Sequence, residues 1–307
     1  MNPATSVVIA CYNMARELPR TIRSLSPEMQ KGVSRDDYEL IIADNGSTIP
    51  FDEVACRDFG AELRVLRFDG SYRSPAQAIN AGIDAARGSL IGVMIDGARL
   101  SSPGLIAMAT MADKLADRAV ILTLGFHLGT AIQSTSILRG YDQEAEDRLL
   151  ESSRWTGDGY RLFDISVPAA SAKGGWFAPM NESNAIFMRR SLWKELGGLE
   201  CQFESPGGGL VNLDLLARAC QLPDVTVVTL LGEGTFHQIH GGVATNAKES
   251  PLVAFRAEYA KIRGRHYQRP AYRSLYFGSV SGNVLASIAD SAKSENEKAG
   301  RAGAYDG

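Results

Sequence analysis

Along the first 125 residues the apolar positions fall into a repeating pattern of short continuous run, polar turn and amphipathic segment. Residues 6–10 (SVVIA), 38–43 (YELIIA), 63–68 (LRVLRF), 90–95 (LIGVMI) and 119–124 have the length and β-branched content of strands. Between them, residues 18–25, 76–86 and 103–115 space their apolar positions as helices do. Pro103 is tolerated in a first turn, and Gly88 closes the helix that precedes it. Strand and helix in alternation predict an α/β domain with a mostly parallel central sheet flanked by helices. The unbroken apolar run at 90–95 marks a central strand covered on both faces. From 125 to 175 the pattern weakens to a charged helix at 141–150 and a loop at 154–160. It returns with a strand at 184–188, a helix at 191–196, a glycine-rich loop, a helix at 213–220 and the strand VTVVTLL at 225–231. A helix at 251–263 carries Leu252, Phe255 and Tyr259 on one face, and the small, polar residues from Ser291 predict disorder. The expected division is one α/β domain over 1–246, a helical C-terminal extension over 247–290 and a disordered tail over 291–307.

Composition narrows the function classes. With 45% apolar and 22% charged residues the chain can bury an ordinary core, and a net charge of −3 gives no general attraction to nucleic acid. Any phosphate must therefore be held by local amides, a few basic side chains or a metal. The four cysteines (Cys11, Cys56, Cys201, Cys220) lack the spacing of a disulfide framework or a zinc site. No run is long and apolar enough to cross a bilayer, and the first residues lead straight into a strand, so the expectation is a cytoplasmic chain. Tyr267, Tyr272, Tyr276 and Phe277 in the extension could pack on the core, form a dimer contact or make a peripheral contact with a membrane surface. Oligomeric state is not encoded in any pattern of this kind.

In an open parallel sheet, ligands bind beyond the carboxyl ends of the strands. There the sequence places Cys11-Tyr12-Asn13, Asp44-Asn45-Gly46-Ser47 and Asp96-Gly97-Ala98-Arg99. One strand-end Asp is more often a turn cap than a ligand. Three such ends on one rim suit a nucleoside, whose base and ribose offer hydrogen bonds to carboxylates and amides and a face for stacking. Gly207-Gly208-Gly209 follows no strand and carries no Lys-Ser/Thr, which disfavours an ATP or nicotinamide site.

These segments, with the Asn80-Ala81-Gly82 helix closed by Arg87-Gly88 and the later Asp214-Leu215-Leu216-Ala217-Arg218, resemble a family 2 glycosyltransferase over roughly the first three quarters of the chain. The resemblance implies a GT-A fold and transfer of a sugar from a nucleotide sugar, UDP- or dTDP-linked, to a glycan, lipid-linked or small-molecule acceptor, with inversion. It implies donor contacts from Tyr12, Asn13, Asp44, Asn80 and Asp96. Two positions depart from the family pattern. The second acid of the Asp-x-Asp element is Ala98, and the Glu-Asp pair expected to supply the base reads Val211-Asn212. The divalent cation (Mn²⁺ or Mg²⁺) is thus left to Asp96 with His237 and His240, or its charge to Arg99 or Arg73. The base is left among Asp214, Glu182 and Glu204. The same departures leave open a domain that binds nucleotide without turnover, as a regulatory module. Residues 241–246, after the histidines, are expected to close over the diphosphate. Trp176 is either an acceptor wall or core, and His127 and His266 are expected to be structural or at the surface.

Overall fold

The computed structural model of the protein describes residues 2–69, 73–241 and 251–303. All but the first residue of the expected loop over 241–246, the domain boundary at 246/247 and the last four residues of the expected tail lie outside them.

The α/β alternation builds β1 (Thr5–Cys11), α1 (Leu18–Ser24), β2 (Tyr38–Asp44), α2 (Glu53–Arg57), β3 (Glu62–Arg67), α3 (Ala76–Ala85) and β4 (Leu90–Met94). There follow β5 (Arg99–Ser101), α4 (Leu105–Ala112), β6 (Ala119–Leu128), α5 (Gln133–Leu138), α6 (Gln143–Ser153), β7 (Ser166–Pro168), β8 (Ala185–Arg189) and α7 (Arg190–Leu196). The chain continues through α8 (Val211–Ala219), β9 (Thr226–His237), α9 (Leu252–Arg263), β10 (Ser274–Gly278) and α10 (Leu285–Gly303).

The strands form one sheet in the order β10-β9-β6-β8-β4-β1-β2-β3, with β5 pairing β9 and β7 pairing β6. Pairing is parallel through β4-β1-β2-β3 and for β6-β9-β10, and antiparallel where β8 joins β4 to β6. β1, β2 and β4 are buried at every position, as their unbroken apolar runs require. The Asn-x-Gly helix packs closely on β1: a Cβ on Gly82 would lie 2.4 Å from Val8 Cγ1, so only glycine lets α3 approach. At the opposite end of the strands from the Asp and Asn turns, buried Glu39 accepts from Ser6 Oγ and from the Arg87 backbone N–H, both at 2.7 Å, and pairs with the Arg64 and Arg87 guanidinia. Arg87 thus holds three strands together.

Two expectations for the C-terminal region are revised. The extension is not purely helical, because β10 adds to the sheet in parallel with β9. Of its aromatic residues, Tyr276 on β10 packs edge-on against Phe177 at 5.1 Å. The tail also does not lose order at Ser291. That residue is buried inside α10, where its hydroxyl accepts from the Trp176 backbone N–H, while Trp176 Nε1 donates to Ser287. Composition alone cannot register that two serines in a polar stretch meet a tryptophan 111 and 115 positions away. Trp176, only 1% exposed, is therefore core and no acceptor wall.

Candidate active site

On the β1/β2 side the rim is built from turns. Asn13 adopts a left-handed backbone (φ +52°), which its short polar side chain tolerates. Its Oδ1 accepts from Thr48 N at 2.8 Å, Thr48 Oγ1 at 3.1 Å and Ile49 N at 3.1 Å, while its own N–H donates to Ser47 Oγ. Asp44 Oδ1 accepts from Ser47 N at 2.9 Å. These side chains lock the loops after β1 and β2 to each other, and Tyr12 stands 44% exposed at their edge. Asn80, expected near the donor, is otherwise engaged. Its amide grips the Leu199 backbone, donating to the carbonyl at 2.9 Å and accepting from the N–H at 2.8 Å. The reason is the left-handed Gly197-Gly198 turn after α7, which brings that backbone against α3.

At the β4/β9 side the structure brings Asp96, His237 and His240 together. Asp96 Oδ2 lies 2.9 Å from His237 Nε2 and 3.3 Å from His240 Nε2, and the two ring nitrogens are 3.2 Å apart. Asp96 Oδ1 is fixed by the Ala98 N–H at 2.9 Å. An octahedral ion with bonds of about 2.1 Å has neighbouring ligand atoms about 3.0 Å apart. The three ligand atoms therefore have the spacing of one face of such a site, and carboxylate with imidazole is a donor set for a borderline divalent ion. Ala98, where the family pattern has a second acid, is fully buried and its carbonyl accepts from Gln238 N.

The electrostatics of the cluster are uneven. Burial pulls His240 toward the neutral form, but the Asp96 carboxylate outweighs it and raises the pKa. Burial opposes the charge on Asp96, yet the two histidines hold it well below the usual carboxylate range. His237 is driven down to about 4 by burial, helped by the Arg99 charge. His127, expected to lie apart, sits beside it with ring centroids 5.5 Å from those of His237. The cause is topology: on β6 and β9 the two residues are register partners, and Arg99 on β5 is the partner of His237 on its other side.

Arg99 is 7% exposed, and its Nε and Nη1 have no hydrogen-bond partner among the described residues. Neither has the amide of buried Asn184. Both side chains lie over Gly125, where a Cβ would fall 2.4 Å from Asn184 Nδ2 and 3.6 Å from Arg99 Nη1. A buried guanidinium without a paired carboxylate is costly, and an anion presented here would relieve that cost. Glu182, two residues before Asn184 and partly exposed, is the acid whose charge acts on Arg99 together with that of Asp96.

The three candidate bases differ sharply. Asp214, 1% exposed, accepts from Arg218 Nε at 2.7 Å and from Arg263 Nε at 2.6 Å and Nη2 at 2.7 Å. Two guanidinia occupy its lone pairs and tie α8 to α9 through it. Glu204 is exposed on a loop whose backbone amides are held by Glu258. Glu182 alone shares the Arg99 side of the sheet.

Two residues around the cluster carry no sequence signal. Gln133, at the start of α5, accepts through Oε1 from His237 Nδ1. Glu146 on α6 accepts from the Ile239 N–H at 2.7 Å and from Arg16, whose guanidinium also reaches the Ile239 carbonyl. His240 is thereby held through its neighbour's backbone. Both lie in the stretch where hydrophobic periodicity is weak.

Comparison with known proteins bears on the fold. Residues 6–97 match Glycosyl transferase family 2. No curated protein matches the chain by sequence. Among solved structures, S. aureus TarS 1–349 is similar with a TM-score of 0.52 and 13% identity, over 78% of this chain and 60% of that one. A longer TarS structure gives 0.53 and 12%, over 88% and 44%. TarS 1–349 in complex with UDP-GlcNAc gives 0.55 and 13%, over 88% and 68%. This chain thus spans about half to two thirds of the TarS chains it resembles, and at such identity the likeness is one of fold. Among the described residues no helix is long and apolar enough to cross a membrane. Residues 6–97 match the family 2 glycosyltransferases in sequence, and over most of its length the chain shares the fold of the TarS structures, a central sheet flanked by helices.

Proposed function

We propose that this domain transfers a glycosyl group from a nucleoside-diphosphate sugar, UDP- or dTDP-linked, to a hydroxyl of a glycan, lipid-linked or small-molecule acceptor, with inversion. The observation that carries it is the convergence of Asp96, His237 and His240 at the strand ends beside buried Arg99, whose Nε and Nη1 have no partner among the described residues. The acceptor oxygen attacks the anomeric carbon, the bond from that carbon to the diphosphate breaks, and the hydroxyl proton passes to a carboxylate. Asp96, His237 and His240 would hold a divalent cation, which supplies positive charge to the leaving diphosphate. Arg99 adds a permanent charge on the same side, and its fork suits phosphate oxygens. Tyr12 is the ring available for stacking on the base. Glu182 is the proposed base, since Asp214 is tied to Arg218 and Arg263. A protein of the same fold, S. aureus TarS, has been crystallised with UDP-GlcNAc, which supports a uridine nucleotide as the first ligand to try.

One observation favours a second reading, nucleotide binding without turnover: Ala98 is sealed in the core, and the acid nearest the expected base position is locked in ion pairs. Titration calorimetry of UDP, dTDP, GDP and CMP, each with Mn²⁺ and with EDTA, tests both. Binding of one nucleotide that depends on Mn²⁺, followed by sugar transfer in a donor screen, is the expected result. Nucleotide binding with no transfer or donor hydrolysis would favour the second reading. Binding of none would overturn the donor site altogether.

A further inference from the structure

We propose that Gln133 is a positioning residue for the cation site, its side-chain oxygen fixing His237 in the tautomer whose Nε2 lone pair faces Asp96 and His240. The inference rests on the cation reading above and goes beyond it by naming what orients the ligand. A neutral imidazole carries one proton, and whichever nitrogen holds it cannot bind a metal. The amide oxygen of Gln133 against Nδ1 competes for the ring proton with Asp96 Oδ2, 2.9 Å from Nε2; a proton kept at Nδ1 leaves Nε2 as a donor to a cation. Metal-ligating histidines in general give their second N–H to a carbonyl or carboxylate in this way.

The surroundings make the contact rigid. Gln133 is 2% exposed, and its backbone N–H donates to His127 Nδ1 at 2.8 Å. His127 sits on β6 as the register partner of His237, so the backbone of Gln133 is anchored to one strand while its side chain reaches the next. A residue kept only for packing would not behave like this. Its Nε2 is buried without a partner among the described residues, a defect that costs stability. An apolar side chain of the same length would remove that defect, so stability alone argues against glutamine here. The contact with His237 accounts for its presence.

The test uses the full chain with Gln133→Met and Gln133→Glu. Nitrogen-15 NMR of the histidine rings without metal should find His237 protonated at Nδ1 in the wild type and redistributed toward Nε2 in Gln133→Met. Calorimetry with Mn²⁺ alone should show an affinity loss of roughly 10- to 100-fold for Gln133→Met, with an unchanged or higher melting temperature. Gln133→Glu, which accepts from Nδ1 equally well, should restore affinity. A wild-type His237 carrying its proton on Nε2, or a Met variant with unaltered tautomer and affinity, would overturn the proposal. If the wild type binds no Mn²⁺, the cation reading fails by itself, and the tautomer in Gln133→Met still decides whether Gln133 orients the ring.

Discussion

The two halves of the candidate site are built on different length scales. On the β1/β2 side, Asn13, Asp44, Ser47 and Thr48 hold one another across at most 35 positions, by turn-type hydrogen bonds to backbone N–H groups. On the β4/β9 side, Asp96 meets His237 across 141 positions, Gln133 meets His237 across 104, and Glu146 meets Ile239 across 93. The first half is a local solution that the strand ends impose. The second exists only because β9 returns to lie between β5 and β6, lining up Arg99, His237 and His127. A site of this kind can lack the acid that the resemblance expects at position 98 and still gather a carboxylate and two imidazole nitrogens within 3.3 Å of one another, since they come from separate elements.

The comparison is broken most directly at Asp96. Asp96→Ala removes the carboxylate shared by both histidines, and turnover should fall about a thousandfold or more, equivalent to the loss of several kcal/mol of charge stabilisation. Nucleotide affinity measured with Mn²⁺ should then drop to its value in EDTA; affinity that stays cation-dependent would place the ion elsewhere.

Asp214 should separate architecture from chemistry. Asp214→Asn leaves Arg218 and Arg263 without their anion. Breaking a buried pair costs roughly 3–5 kcal/mol, and the loss here should sit at the low end. The reason is that both guanidinia keep about a fifth of their surface in water. Turnover per folded molecule should survive, whereas Glu182→Gln should abolish turnover and spare both nucleotide affinity and melting temperature. The reverse pattern, read from denaturation curves and initial rates, would return the base to Asp214.

A smaller effect comes from Glu233, which sits on β9 below His237 and accepts from the Ser102 hydroxyl, the Gly104 N–H and the Tyr160 hydroxyl. Burial, only partly offset by these donors, pushes its pKa from 4.5 up to about 7. The folded state therefore binds this proton more tightly than the unfolded chain. Its contribution to stability is complete below about pH 4.5 and is lost as the pH rises to about 7, an effect on the order of a few kcal/mol. Glu233→Gln should flatten the urea-derived stability over that window, and an unchanged pH slope would contradict the assignment.

The smallest expected change is at the turn-built half. Asn13→Ala removes an acceptor for two backbone N–H groups and imposes strain at positive φ, for a loss of about 1–2 kcal/mol. Asn13→Gly should recover the conformational part of that loss but not the hydrogen bonds. Neither variant should alter Mn²⁺ affinity; a change there would mean the two halves are coupled more tightly than their contacts indicate.

How much of this was legible in the chain follows the same division. The core strands and helices were visible because burial on both faces demands unbroken apolar runs, and the Asp and Asn turns because they sit directly after those runs. His237 and His240 could be nominated from their place after the last strand of the main domain, although nothing in that spacing stated that Asp96 would meet them. Gln133 and Glu146 were invisible, since a single polar residue on a weakly periodic helix has no pattern to betray a partner. The C-terminal segment misled for a related reason: β10 is half exposed and α10 is mostly polar, so neither carries the apolar signature of a buried element.

The sequence by itself determined the layered α/β domain, its strand ends and the residue types available there, because periodicity and turn chemistry act over a few neighbouring residues. Only the tertiary structure decided which of those residues meet. It joined Asp96 to the two histidines, left buried Arg99 without a paired carboxylate among the described residues, and withdrew Asp214 into ion pairs. The physical reason is that charge pairing, desolvation and ligand geometry depend on distance in space, and the register of distant strands sets that distance.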